Sequence, residues 1–191
     1  MSSNRLCLLF LSGALLLGCA AAEAHHRTRF VPDGASALRS HSLDHARWCG
    51  LHFAERKYRQ AIADCDEALV DDPADGESYS NRGAAYLMID EVDQAISDFE
   101  TAIRMNGSFA IWHYNLATAY IKKGQHAKAL FSYNEVLRLD PGLAPAYNNR
   151  AHVFEVLGDR EKAIADYRRA LELAPALSSV IRQNLQRLGA E

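Results

Sequence analysis

The chain has 191 residues, of which 49% are hydrophobic and 24% are charged, and its formal net charge is −3. This length and balance are typical of one globular domain with a core of its own. The charge excludes the basic footprint that nucleic-acid-binding domains carry, so we expect no nucleic acid among the partners.

The first 24 residues have the layout of a secretory signal peptide, with a polar start, an apolar run over 6–17 and a tail of small residues. A bilayer span needs about 20 apolar residues, so the run favours export over a membrane helix. Two cleavage sites of the predicted signal peptide remain open. LLGC at 16–19 resembles a bacterial lipobox with Cys19 as the lipidated residue, whereas AEA at 22–24 fits a cut after residue 24. Membrane contact is expected only through a lipid on Cys19.

Residues 25–41 combine Gly, Pro, Ser and charged residues without a hydrophobic period. This composition predicts a flexible linker. The His25–His26 pair within it is more typical of a solvated linker than of a metal site.

The rest of the chain repeats with a period of 34, in frames 42–75, 76–109, 110–143 and 144–177. The twentieth place of each frame is a small residue: Ala61, Ala95, Ala129 and Ala163. Large apolar residues recur three or four apart within each half frame, which predicts two amphipathic helices per frame. Gly124 and Gly158 stand where one helix must end and the next begin, in a turn that favours glycine.

This pattern resembles the tetratricopeptide repeat, and the resemblance covers residues 42–177. It implies an all-α fold, a right-handed α-solenoid of four helix pairs. No pair buries its apolar stripe alone, so the stack shares one core. Residues 178–191 carry a single apolar stripe with a polar back, which predicts a C-terminal capping helix.

The first repeat has Cys49, His52 and Cys65 where the other frames place small or aromatic residues. A metal site, two buried thiols and a Cys49–Cys65 disulfide are all open interpretations. The predicted turn lies midway between the cysteines, so they would lie level on antiparallel helices. Because an exported protein folds in an oxidising compartment, the sequence favours the disulfide and no bound metal.

The sequence contains no Gly-rich phosphate loop, no GxSxG motif and no HExxH motif. Each of these motifs places a phosphate cradle, a nucleophile or metal ligands at a fixed spacing. We therefore expect no catalytic residue and no cofactor.

The resemblance implies that the first helices of the pairs line a concave groove. The sixth place of the last three frames is asparagine, and a side-chain amide both donates to and accepts from a peptide backbone. This is similar to the asparagine ladders by which some tetratricopeptide solenoids hold extended peptides. The predicted groove residues are Asn81, Asn115, Asn149, Tyr114, Thr118, Asn148, His152, Leu87 and Ile121. The alternative is that the asparagines stabilise the helix pairs themselves.

A carboxylate clamp for acidic chain ends is disfavoured. That clamp needs lysine at the fifth place of a frame, and the fifth places here are Ala46, Ser80, Tyr114 and Asn148.

Two functions follow from the resemblance. The first is a non-catalytic scaffold or adaptor in the bacterial cell envelope, periplasmic or anchored to the outer membrane, with a protein or peptide as its partner. The second is a structural subunit or pilot lipoprotein of an envelope assembly or secretion machine, using convex or edge contacts.

Overall fold

The computed structural model describes the backbone of residues 34–190 and, within it, the side chains of 44–176 and 179–190. The predicted signal peptide with Cys19 lies outside the described residues, as do residues 25–33 of the predicted linker. Among the helices of the described part, none combines the length and the apolar character that a membrane crossing requires.

Residues 34–190 form helices and turns without a strand. The helices are α1 (Gly34–Ala54), α2 (Tyr58–Asp71), α3 (Gly76–Met88), α4 (Val92–Met105), α5 (Ala110–Lys122), α6 (His126–Leu139), α7 (Ala144–Val156), α8 (Arg160–Leu173) and α9 (Ser178–Arg187), with a 3₁₀ turn at Pro175–Leu177 before α9. Each helix packs chiefly on its neighbours in sequence, first as pairs and then pair against pair. The predicted all-α solenoid of four helix pairs with a C-terminal helix is confirmed.

The first helix begins earlier than predicted. Helix α1 starts at Gly34 and has 21 residues, whereas α3, α5 and α7 have 13 each. The predicted linker over 25–41 is therefore wrong for 34–41, and the first helix pair extends beyond the predicted frame 42–75. The helix breakers of this segment end with Pro32 and Gly34, and the following alanine, leucine and arginine residues are good helix formers.

Left-handed residues close the first helix of every pair. Gly124 and Gly158 have φ of 75° and 83°, which confirms the turns predicted there. Arg56 and Asp90 occupy the same place with φ of 61° and 73°. Because this conformation brings a Cβ too close to the following carbonyl oxygen, it costs a non-glycine residue about 1–2 kcal/mol.

The core runs along the seam between first and second helices. The four alanines of the twentieth place are fully buried and allow close approach within each pair. At the C-terminal end, α9 buries Ile181 and Leu185 against α7 and α8. Two hydrogen bonds of 2.6 and 2.9 Å from Arg187 to the Glu155 carboxylate fasten α9 to α7.

Two arginines clasp the second and fourth pairs. Arg82 donates through Nε and Nη2 to Asp98, both at 2.8 Å. Arg150 donates in the same way to Asp166, at 2.7 and 2.9 Å. The remaining nitrogen of each arginine reaches back to the preceding pair, to Asp66 at 2.6 Å and to Asn134 at 2.8 Å. Each clasp therefore ties three helices together.

In the first helix pair, a disulfide joins the two helices where the second and fourth pairs have an arginine clasp. Cys49 and Cys65 form a disulfide across α1 and α2, with 5.1 Å between the Cα atoms, and both residues are fully buried. His52 Nδ1 lies 2.5 Å from Asp64 Oδ2. Of the three interpretations of these cysteines, the structure contains the disulfide, and neither sulfur is a thiolate that could bind a metal.

Candidate functional site

The first helices of the first three pairs line a pocket of about 520 Å³, here called the α3–α5 pocket. It lies between α3 and α5, and its lining is completed by Phe53 of α1, by Ala74, by Met105 at the end of α4 and by the loop before α5. Of the nine predicted groove residues, Asn81 and Asn115 line this pocket.

Aromatic side chains and a methionine form the pocket walls. The rings of Phe109 and Trp112 pack with centroids 4.4 Å apart. Phe109 is 46% exposed and Met105 is 42% exposed, which leaves a large apolar surface open to solvent. A Cβ on Gly76 would lie 3.0 Å from Trp112 Cη2, so the absence of a side chain there lets the Trp112 ring pack closely on α3.

Sequence reasoning missed these walls, although a signal was present. The second frame closes on Asn106–Gly107 where the other three close on proline, and Phe109 and Trp112 follow directly. The departure from the repeat marks the place where the loop contributes to a site.

Among the predicted groove asparagines, Asn115 is the one whose side-chain amide makes no hydrogen bond to a described residue. Its side chain lines the pocket from α5, the residue is 7% exposed, and its amide has no hydrogen-bond partner among the described residues. Neither atom of this amide is among the fully buried side-chain atoms that lack a partner in the described residues, so the amide reaches solvent inside the pocket. A ligand that supplies a donor and an acceptor here would take the place of the water that hydrates this amide.

Unlike Asn115, Asn149 makes hydrogen bonds to neighbouring side chains of the protein. Its Nδ2 donates to Tyr114 Oη at 2.8 Å and to Tyr133 Oη at 3.2 Å, and its Oδ1 accepts from Asn148 Nδ2 at 3.2 Å. Both amide hydrogens are therefore engaged inside the protein. In this structure Asn149 therefore fastens α7 to α5 and α6, as the alternative interpretation of the asparagines describes.

The repeat pattern explains why the two asparagines differ. Tyr114 and Tyr133, which hold Asn149, stand at the fifth and twenty-fourth places of the third frame. The same places of the second frame, which precede Asn115, hold Ser80 and Phe99. Neither Ser80 nor Phe99 carries a phenol hydroxyl, so no group equivalent to those that bind Asn149 reaches Asn115. The Asn115 amide therefore stays open to the pocket.

The other predicted groove residues lie outside the pocket lining, and several are fixed by the fold. Leu87 is buried in the hydrophobic core, since it faces the seam between helices. Thr118 Oγ1 donates to the Tyr114 carbonyl one turn earlier in α5, at 3.0 Å. Asn148 is buried beside Asn149, and burial lowers the pKa of His152. Ile121 is half-buried and packs on the core.

The rim of the pocket carries one ionisable side chain among the described lining residues, the carboxylate of Glu77. Burial raises the pKa of Glu77, and the charge of Asp75 raises it further. Asp75 is fixed in place as the cap of α3, where it accepts from the Glu77 backbone N–H at 3.0 Å. The pocket therefore combines apolar walls, an open amide and a negative rim.

The sequence comparisons identify the repeats. The family model of the tetratricopeptide repeat matches residues 110–143 and 144–177, which are the third and fourth predicted frames. The chain is also similar to Hsp70-Hsp90 organizing protein 3 of Arabidopsis thaliana, at 35% identity over 57 residues. That similarity spans 30% of this chain and 10% of the plant protein.

Solved structures share the fold. The crystal structure of MamA has a TM-score of 0.68 at 24% identity, covering 78% of this chain and 99% of that one. The first TPR of Spaghetti (RPAP3), bound to the HSP90 peptide SRMEEVD, has a TM-score of 0.61 at 24% identity, covering 62% of this chain and 94% of that one. Residues 110–177 thus carry two tetratricopeptide repeats, and the described part of the chain folds as an all-α solenoid of the tetratricopeptide-repeat type.

Proposed function

We propose that this protein is a non-catalytic scaffold that binds a protein partner through an extended segment, held in the α3–α5 pocket. The observation that carries the proposal is Asn115, whose side-chain amide lines the pocket, reaches solvent there and has no hydrogen-bond partner among the described residues. The peptide complex of RPAP3, which has the same fold, supports this kind of ligand.

The pocket has the dimensions and chemistry for such a segment. Its volume of about 520 Å³ is within the ~300–1,000 Å³ that ligand sites in proteins occupy. The Asn115 amide can donate to a peptide carbonyl and accept from the next peptide N–H. Phe109 and Trp112 then offer an apolar wall to a side chain of the same segment. Backbone pairing would provide affinity, and the wall would select the side chain.

A library of heptapeptides displayed on phage tests the proposal. Peptides are selected on the immobilised protein and then compared on the Asn115→Ala variant. We expect the selected peptides to lose about 5- to 150-fold in affinity on the variant, the equivalent of about 1–3 kcal/mol for an unpaired backbone group. Equal affinity for the two proteins would place the binding site elsewhere.

We further propose that the protein is exported to the bacterial cell envelope, where it is either lipid-anchored through Cys19 or released by cleavage after residue 24. The signal-like layout of residues 1–24 supports this proposal. A triacylated N-terminus buries many CH₂ groups at about 0.8 kcal/mol each, enough to hold a protein on a membrane. Cys19→Ser should move the protein from the membrane fraction to the soluble fraction. A mature N-terminus at His25, found by mass spectrometry, would instead support the soluble form.

A structural subunit of an envelope assembly is the second candidate. The observation that favours it is the exposed apolar surface of α1, where Trp48 is 52% and Leu51 is 41% exposed. These residues would belong to a permanent edge contact. Under this alternative, Trp48→Ser releases a co-purifying partner that resists high salt, whereas Asn115→Ala does not.

A further inference from the structure

The apolar walls of the α3–α5 pocket determine the first requirement on a ligand. Phe109 and Met105 each expose more than two fifths of their surface beside Trp112. In a soluble protein, contiguous exposed apolar surface of this kind marks a binding site. A large aromatic or aliphatic side chain of the ligand would remove this surface from water, while a small or polar one would leave it exposed.

The charge at the rim determines the second requirement. Glu77 is the ionisable lining residue, and the charged group that acts on it is another carboxylate, Asp75. A lysine or arginine of the ligand would find an unpaired negative group here, and its cation could also rest against the faces of the wall aromatics. A carboxylate of the ligand would be repelled by Glu77 and would find no cation among the described lining residues.

The charge of the peptide bound by RPAP3 differs from the charge of the ligand that this pocket favours. The HSP90 peptide bound by RPAP3, SRMEEVD, contains two glutamates and ends in aspartate. In this chain, none of the described side chains that line the pocket is basic. This pocket therefore offers no cation to acidic residues such as those of that peptide.

Resting on the proposed function, we infer that the α3–α5 pocket selects peptide segments in which a large apolar side chain stands next to a lysine or arginine, and that it rejects acidic chain ends. The apolar side chain packs on Phe109 and Trp112, the basic side chain pairs with Glu77, and the backbone between them pairs with Asn115.

The sequences recovered from the heptapeptide phage library test this selectivity. We expect an aromatic or large aliphatic residue beside lysine or arginine in the enriched peptides, and a depletion of aspartate and glutamate. The strongest binder is then synthesised in three forms, with its basic residue kept, replaced by serine or replaced by glutamate. Affinity should fall in that order.

Two protein variants separate the requirements. Glu77→Gln should reduce the affinity for the basic peptide about two- to fivefold more than the affinity for its serine form, as expected for a solvent-screened ion pair. Glu77→Lys should reverse the order of the basic and glutamate peptides. Phe109→Ala should weaken all three forms together, because it removes the apolar wall.

The outcomes distinguish the selectivity from the function itself. Enriched peptides that are acidic or have no charge bias, but still lose affinity on Asn115→Ala, would overturn the selectivity and leave groove binding in place. Enriched peptides that bind Asn115→Ala as tightly as the original protein, or a failure to enrich any, would overturn both.

Discussion

Asn115 and Asn149 occupy the same place in consecutive repeats, so replacing each with alanine compares one residue type in two roles. Asn149→Ala removes two hydrogen bonds to the phenols of Tyr114 and Tyr133 and one from Asn148. At about 1 kcal/mol for each net hydrogen bond, the unfolding free energy should fall by about 2–3 kcal/mol. For a chain of this size, that loss corresponds to a decrease in Tm of about 5–10 °C.

Asn115→Ala should leave the fold nearly unchanged, since its amide has no hydrogen-bond partner among the described residues. We expect its unfolding free energy to lie within about 0.5 kcal/mol of the original protein's. Alanine gains the same helix propensity at both sites, so the difference between the variants is free of that term. Its effect should instead appear as the loss of peptide affinity described above.

Urea unfolding followed by helical circular dichroism measures both stabilities, and calorimetry measures peptide affinity. The reasoning is refuted if Asn115→Ala loses as much stability as Asn149→Ala, because Asn115 would then also be a structural tie. A third variant, Phe99→Tyr, restores at the second repeat the phenol that holds Asn149. It should engage Asn115 and reduce peptide affinity without reducing stability.

Three further predictions concern the stability of the stack. Arg82→Ala leaves the buried Asp98 carboxylate unpaired and should lower the unfolding free energy by about 3 kcal/mol in urea titrations, whereas a loss below 1 kcal/mol would show the clasp to be dispensable. Cys65→Ser opens a loop with a sequence separation of 16 and should cost about 3 kcal/mol, and a reductant should then destabilise the original protein but not the variant. Gly124→Ala should lower the unfolding free energy by about 1–2 kcal/mol, because it forces a Cβ into the left-handed region. Arg56→Gly relieves the same strain and should be neutral or stabilising. Thermal melts that show the reverse order would contradict this account of the turns.

The fold was predictable because its signals are repeated. Four frames each supply an apolar stripe, a small residue at the twentieth place and a turn, so each frame supports the interpretation of the others. The start of α1 at Gly34 was not predictable in this way, because residues 34–41 lie before the first frame and have no counterpart to align with.

The site was predictable only in part, since contacts between repeats decide which side chains stay open. The sixth-place pattern is the same for Asn115 and Asn149, but Asn115 lines the pocket whereas the Asn149 amide donates to two phenols of the preceding repeat. The aromatic wall of Phe109 and Trp112 was missed because it lies where the second frame departs from the repeat. The Arg82–Asp98 and Arg150–Asp166 clasps were visible in principle, as the same residue pair with the same separation in two frames.

The fluorescence of Trp112 tests the central claim most directly. The chain has two tryptophans, so Trp48→Phe leaves Trp112, which lines the α3–α5 pocket, as the single reporter. On titration with the strongest selected peptide, the account predicts a saturable change in Trp112 emission at the dissociation constant found by calorimetry. The same titration of Trp48→Phe combined with Asn115→Ala should require a much higher peptide concentration. If calorimetry shows binding while Trp112 emission stays constant, the peptide lies on another face of the solenoid and the claim is wrong.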